Sequence, residues 1–178
     1  MNEFALDISA IQERARKNLD QGPITDAYGA DRERVIAVLN EALATELVCV
    51  LRYRSHHFRA TGLAAKSVAE EFLEHATEEQ EHADWIAARI VQLQGEPNFD
   101  PAGISDRSHS SYANGESLVE LLREDLVAER IAIEVYTAIA RWLGDDDFTT
   151  RILIEKILAV EEEHADDLLS LLGAHSNA

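Results

Sequence analysis

Glu79-Gln80-Glu81-His82-Ala83-Asp84 and its echo Glu161-Glu162-Glu163-His164-Ala165-Asp166 decide how this chain folds. In each, Glu-x-x-His sets a carboxylate and an imidazole three residues apart, on one face of a helix. Helical steps from Glu79 reach Phe72, Ala76, Ala83 and Ile86. Steps from Glu161 reach Ile154, Ile157, Leu158, Ala165 and Leu168. A solvent-facing ion-pair helix would not place its Glu and His in the middle of an apolar stripe, so both motifs point into a core. A carboxylate buried there must be protonated, paired or metal-bound, and no Lys or Arg occupies those inward offsets. Carboxylate and neutral imidazole are good ligands for iron, manganese or zinc. The pattern reads as a metal site inside a helical bundle.

The rest of the chain suits such a bundle. Its 178 residues, 46% hydrophobic and 28% charged, fit one globular domain with a full core. Abundant Ala, Leu, Glu and Arg with only 3 prolines favour long helices. The single cysteine, Cys49, excludes an internal disulfide and any Cys-rich metal site, and reads as a small core residue. The opening Met1 to Asp7 has no basic segment followed by an apolar run, and no stretch approaches the roughly 18 apolar residues of a membrane span. A soluble, cytoplasmic protein is expected. A formal charge of −18 argues against nucleic acid as a partner. It suits the gathering of cations and, equally, plain solubility.

In chain order, residues 9 to 21 form a short amphipathic helix, with Ser9 and Gln12 as a capping box and Gly22-Pro23 as the stop. It is expected to pack on the domain or on a neighbouring subunit. The first long helix runs from about Asp31 to Thr61, with Val35, Leu39, Ala42, Leu43, Glu46, Val50, Tyr53 and His57 inward. Glu46 is the odd residue on that face. The second begins between Leu63 and Val68, with Ser67 and Glu70 as its cap, and ends at Gly95 before Pro97. Residues 96 to 115, rich in Gly, Pro, Ser and Asp, form a linker that can stretch to about 65 Å. That exceeds the ~40 Å length of such a helix. Ser117 with Glu120 opens the third long helix, which carries Leu122, Leu126, Glu129, Ala132 and Tyr136 and closes at Gly144. Asp145 to Asp147 cap the fourth, Phe148 to Leu172, which ends at Gly173. The fold class is all-α: a four-helix bundle with one long crossover between the second and third helices, plus a short N-terminal helix. The units are an extension at 1–30, the bundle at 31–173 and a tail at 174–178.

The two halves match. Glu46 precedes Glu79 by 33 residues and Glu129 precedes Glu161 by 32; Tyr53 and Tyr136 each follow their glutamate by seven. Each helix hairpin therefore offers one lone inward Glu and one Glu-x-x-His, the donor set that helix bundles use for a pair of carboxylate-bridged metals. Four ionised glutamates balance two divalent cations, with the imidazoles completing the coordination. Asp125, one turn before Glu129, reads equally as an acceptor of a hydrogen bond from a site histidine or as an exposed helix residue. Tyr53 and Tyr136 can hydrogen-bond site carboxylates or give up an electron, with plain core packing the expected role for Tyr136. His75, one turn before Glu79, reads as a satisfied core histidine rather than a part of metal entry. His56 and His57 sit together after Tyr53, and His109 and His175 read as loop and tail residues.

At these residues the sequence resembles the bacterioferritin branch of the ferritin-like superfamily. The resemblance runs from about Val35 to Leu172, through Leu-Asn-Glu-Ala-Leu-Ala-Thr-Glu-Leu, Glu-Glu-Gln-Glu-His-Ala-Asp, Asp-Leu-Val-Ala-Glu and Val-Glu-Glu-Glu-His. It implies an intra-subunit ferroxidase centre with two iron ions per subunit. Glu46 and Glu129 would be terminal ligands, Glu79 and Glu161 would bridge, and His82 and His164 would each bind one iron. Tyr53 matches the family's tyrosine beside the centre. Bacterioferritins bind haem through a Met directly after the Glu of the first Glu-x-x-His. That position is Gln80 here, so no haem is expected. With 14 residues after His164, no fifth helix is expected either, and about 30 residues precede the first long helix. These features look more like the bacterioferritin-like subclass of Dps mini-ferritins, although that subclass often carries a cysteine pair that Cys49 alone cannot supply. This implies a 12-subunit shell in preference to a 24-subunit one.

The resulting expectation is a ferroxidase and iron storage or detoxification protein. It would oxidise Fe(II) with O₂ or H₂O₂ and deposit Fe(III) inside the shell. The alternative is a non-storage carboxylate-bridged enzyme, a rubrerythrin-like peroxidase or a manganese catalase-like protein. The extra acids Glu81, Glu134, Glu162 and Glu163 keep it open. A metal-free helical interaction module is a third class.

Overall fold

In the computed structural model, which describes residues 4–60 and 65–175, every regular element is helical. In order these are α1 (Ile8–Arg14), a 3₁₀ turn (Leu19–Gln21), α2 (Arg32–Arg59), α3 (Lys66–Gln92), α4 (Ile104–Arg107), α5 (Leu118–Leu143) and α6 (Phe148–His175). α2 pairs along α3 and α5 along α6, and the two hairpins meet through α3 with α6 and α2 with α5. No helix among the described residues is long and apolar enough to cross a membrane.

Local chemistry sets the helix ends. The Asp31 carboxylate accepts from the Arg34 amide at the head of α2. Ser117 and Glu120 form the expected reciprocal capping box on α5. At the head of α6 the Asp147 carboxylate accepts from both the amide and the hydroxyl of Thr150. α3 departs from expectation: its N-cap is Ala65, with no side-chain cap, instead of Ser67 with Glu70. The predicted bounds at Thr61 and Leu63 lie outside the described residues. At its other end Gln94, not Gly95, takes the left-handed conformation (φ 62°). Gly95 instead packs closely on α2: a Cβ there would come within 2.8 Å of the Ile36 side chain, which would have to shift. α6 runs through Gly173 to His175 instead of stopping. A helical glycine costs only about 1 kcal/mol, and Leu168 and Leu172 hold that end of α6 in the core.

The N-terminal helix is shorter than predicted. Asp7, not Ser9, caps it, and Asn18 in a left-handed conformation separates it from the 3₁₀ turn. None of its residues is buried, and Leu19 beyond it is 76% exposed. The part of the extension that does pack is Ile24 to Ala30. Ile24, Tyr28 and Ala30 lie against the core, Tyr28 donates to Asp147 at 2.9 Å, and the Gly29 amide donates to the Asp146 carbonyl.

The crossover is strapped along α2. Asn40 donates to the Glu96 carbonyl and accepts from the Asn98 amide. Buried Arg52 donates to Ser110 and to the Ser111 carbonyl, and Arg59 reaches Asn114 and Gly115. His109, expected to be a plain loop residue, is pinned by its amide and ring to the Thr45 hydroxyl.

The core is divided into two apolar layers. One holds Leu39, Leu43, Ile86, Ile90, Tyr136, Ile154 and Ile157; the other holds Cys49, Tyr53, Val68, Phe72, Leu122 and Leu168. Each fully buried aliphatic or aromatic side chain contributes roughly 1.5–3 kcal/mol. On every long helix the chain places acids or histidines between these layers: Glu46 follows Leu43, Glu79 and His82 separate Ala76 from Ile86, Glu129 lies between Leu122 and Tyr136, and Glu161 and His164 lie between Ile157 and Leu168.

Candidate metal centre

Glu46, Glu79, His82, Glu129, Glu161 and His164 all lie in that middle layer, each no more than 1% exposed. They fall into two overlapping groups. Glu46, Glu79, His82 and Glu161 offer ligand atoms within 4.8 Å of one another, and so do Glu79, Glu129, Glu161 and His164. Glu79 and Glu161 belong to both, so the two pockets share their central carboxylates. His82 Nδ1 lies 3.0 Å from Glu161 Oε1 and 3.4 Å from one oxygen each of Glu46 and Glu79. His164 Nδ1 lies 3.6 Å from Glu161 and 3.9 Å from Glu79 and Glu129.

Polar atoms in this layer are left over. Glu46 Oε2, both oxygens of Glu79, Glu129 Oε2, both oxygens of Glu161, and Nδ1 of His82 and of His164 are buried without a hydrogen bond. Buried polar atoms are nearly always satisfied, and these eight unpartnered atoms, brought together from four helices, form a cluster that could hold metal. The donor set of carboxylates and imidazoles fits divalent first-row metals.

The electrostatics say the same. Burial first, then the charges of Glu79 and Glu161, push the carboxyl groups of Glu46 and Glu129 well above the carboxylate range. Burial alone would also raise Glu161, but the neighbouring imidazoles of His164 and His82 overcome it and hold its carboxyl down. Burial opposes the charged form of both histidines. Glu161 nonetheless pushes His82 up to about 12 with help from Glu46 and Glu79, and pushes His164 up to about 9 with help from Glu79. Without cations the layer must hold protons to offset four carboxylates. Two divalent ions would offset the same charge.

The tyrosines cross between the hairpins. Tyr53 donates to Glu129 Oε1, and Tyr136 donates to Glu46 Oε1. Each phenol holds one oxygen of a lone glutamate and leaves the other facing the pockets. Tyr136 is thus more than the packing residue expected from its position. Asp125 also departs from expectation. It accepts from His56 Nδ1 at 2.8 Å and from Arg52 Nε at 2.9 Å, not from His82 or His164. The outer nitrogen of His164 donates instead to Glu78 at 2.8 Å. Glu78 escaped the sequence reading because it approaches His164 from another helix, which no spacing along one helix reveals.

Other expectations sort by exposure. His56, not His57, is the buried member of its pair. Glu81, Glu134, Glu162 and Glu163 all face solvent, so none adds a carboxylate to the centre. Gln80 is exposed and donates to Asp84. His75 is buried, but it is not satisfied. Its ring stacks on His164 with centroids 4.0 Å apart, and its Nδ1 has no hydrogen-bond partner. Burial and the neighbouring His164 lower it to about 3.

Comparison with known proteins agrees with the fold. The ferritin-like domain family matches residues 36–176. Bacterioferritin of Mycobacterium leprae is 32% identical over 143 residues, covering 78% of this chain and 86% of that protein. A dodecameric thioferritin, the bacterioferritin-related protein from Bacteroides fragilis, superposes with a TM-score of 0.79 at 34% identity. That superposition covers 84% of this chain and 90% of the other. Dps from Thermosynechococcus elongatus shares the fold, with a TM-score of 0.75 at 22% identity over 79% of this chain and 90% of its own. With its sequence match, its all-helical architecture and its paired acid and histidine pockets, this chain belongs to the ferritin-like domain family, with bacterioferritins among its relatives.

Proposed function

We propose that this chain is a ferroxidase that stores or detoxifies iron. The observation that carries the reading is the set of eight unpartnered atoms, from six side chains, arranged as two pockets with common carboxylates. Two Fe(II) ions are the substrate. Glu46 and Glu129 would hold one ion each from the outside, Glu79 and Glu161 would lie between them, and His82 and His164 would each add a nitrogen. Two Fe(II) yield two electrons. O₂ takes them with two protons to become H₂O₂, or H₂O₂ takes them with two protons to become two waters. The chain supplies a dry, preorganised chamber: Tyr53 and Tyr136 orient the lone glutamates, Glu78 fixes the ring of His164, and apolar layers above and below exclude water. The product Fe(III) would pass to a mineral inside a shell.

The dodecameric relative at 34% identity supports a 12-subunit shell. Twelve copies of a 19.8 kDa chain would weigh about 240 kDa. Native mass measurement with a metal count, joined to Fe(II) oxidation followed by absorbance, tests the proposal. The expected result is a shell of that mass with about two metals per chain at the centre. Glu46→Ala and His82→Ala should abolish rapid oxidation yet leave the assembly intact. Unchanged oxidation in those variants would remove the proposed site. A dimer or tetramer that forms no mineral would favour the non-storage carboxylate-bridged enzyme.

A further inference from the structure

His75 has no role in the two pockets, yet it is 1% exposed and makes no sound hydrogen bond among the described residues. Its Nδ1 has no partner, and its Nε2 lies 3.5 Å from Glu71 Oε1 and 4.0 Å from Asp167 Oδ2, a group that shares no residue with the two pockets. Both distances are too long for a good hydrogen bond. Both are right for two ligands of one cation, since metal–nitrogen and metal–oxygen bonds of about 2.0–2.2 Å span up to ~4.2 Å between donors. The three ligand atoms lie within 4.8 Å of one another.

We propose that Glu71, His75 and Asp167 form a third divalent-cation site, outside the two-pocket centre, that takes a first-row transition ion. Glu71 and His75 stand one helical turn apart on α3, and Asp167 reaches over from α6. An imidazole with two carboxylates is a borderline donor set suited to Fe(II), Mn(II), Co(II) or Zn(II). The two acids neutralise the ion's charge. Their side chains are 31% and 46% exposed, so water can fill the remaining positions and the ion can enter from solvent. The buried His75 is the fixed point of the site, held flat against His164 at 4.0 Å. One imidazole stack thus separates this station from the centre. The inference concerns binding alone and does not depend on iron oxidation at the centre.

The test is crystallographic. The intact chain, stripped of metal and loaded with Co(II), is examined by anomalous scattering at the cobalt edge. The expected map has a peak bounded by Glu71, His75 and Asp167, separate from the peaks among Glu46, Glu79, Glu129 and Glu161. In Glu71→Gln/Asp167→Asn, two substitutions at partly exposed positions, that peak should vanish while those of the centre persist. Absence of the peak in the unaltered chain, or its survival in the double variant, overturns the assignment. If the centre alone stayed empty, the function proposed above would fail while this site stood.

Discussion

The phenol of Tyr136 donates a hydrogen bond to Glu46 across ninety positions of sequence and from one hairpin to the other. Tyr53 returns the same contact to Glu129 in the opposite direction. The pair makes the two hairpins interdependent: each lone glutamate is oriented by the half of the protein that does not carry it. Tyr136→Phe should therefore leave Glu46 Oε1 buried and unsatisfied, which costs about 1–3 kcal/mol. Metal affinity should also weaken, by roughly 10- to 100-fold, the usual effect of losing a group that orients a ligand. Urea unfolding of the metal-free protein and a Zn(II) titration measure the two effects. No change in either would reduce Tyr136 to a packing residue.

Glu129→Gln should move stability in opposite directions with and without metal. Burial and the charges of Glu79 and Glu161 already oppose ionisation of Glu129, so an isosteric amide relieves the metal-free layer. Its melting temperature should rise, on a scale of about 2–4 °C per kcal/mol for a domain of this size. With Zn(II) or Mn(II) present the order should reverse, because the variant has lost a ligand and with it the stabilisation that binding confers. Calorimetry with and without metal shows whether the curves cross. A variant less stable in both states would contradict the electrostatic account.

Much of this centre was legible in the residue order, and the reason is geometric. Helical periodicity alone carries Glu46, Glu79, His82, Glu129, Glu161 and His164 to inward faces, and the matched spacing of the two halves brings those faces to one level. Capping chemistry was equally local, so Ser117 with Glu120 and the reversal at Gly144 could be read directly. Contacts between helices could not. Glu78 finds His164 only after α3 and α6 have packed, and the periodic stripe of α2 favoured His57 although His56 is the residue that the fold buries. Asp125 illustrates the same limit. It bonds Arg52 and His56 from another helix, a pairing that no spacing along its own helix reveals. The N-terminal helix is shorter than the Gly22-Pro23 stop suggests: it ends at Arg14 with Ala15 as its C-cap, and Asn18, in a left-handed conformation, precedes the 3₁₀ turn.

The Arg52–Asp125 pair is fully buried at 2.9 Å, with His56, Ser110 and the Ser111 carbonyl completing its hydrogen bonds. It ties α2 to α5 and fastens the crossover. Asp125→Ala would strand a guanidinium that is 0% exposed. Removing one partner of a buried pair costs about 3–5 kcal/mol. Chemical denaturation should show a loss of that size. Limited proteolysis should show earlier cleavage within residues 108–115, where the strap would be released. A loss below about 1 kcal/mol, the scale of an exposed pair, would mean that the pair is not isolated from water.

Asp147 sets an acid limit on the other end of the molecule. Burial opposes its ionisation, but hydrogen bonds from Thr150 and Tyr28 and the charge of Arg89 prevail and hold its carboxyl below the ordinary 3.8. The carboxylate accepts from Arg89 at 3.0 and 3.2 Å, from Tyr28 at 2.9 Å and from the Thr150 amide at 2.9 Å. A group whose folded pKa is depressed stabilises the fold above its unfolded pKa and loses that contribution as pH falls through its folded value. The contribution should thus be complete well above pH 3.8 and disappear below it. Asp147→Asn should be less stable than the unaltered chain at pH 6, with the gap narrowing as the solution is acidified through that window. Fluorescence-monitored urea unfolding at pH 6, 5, 4 and 3 measures the gap. If it stayed constant across the series, ionised Asp147 would not be what joins α6 to Arg89 and to the N-terminal extension.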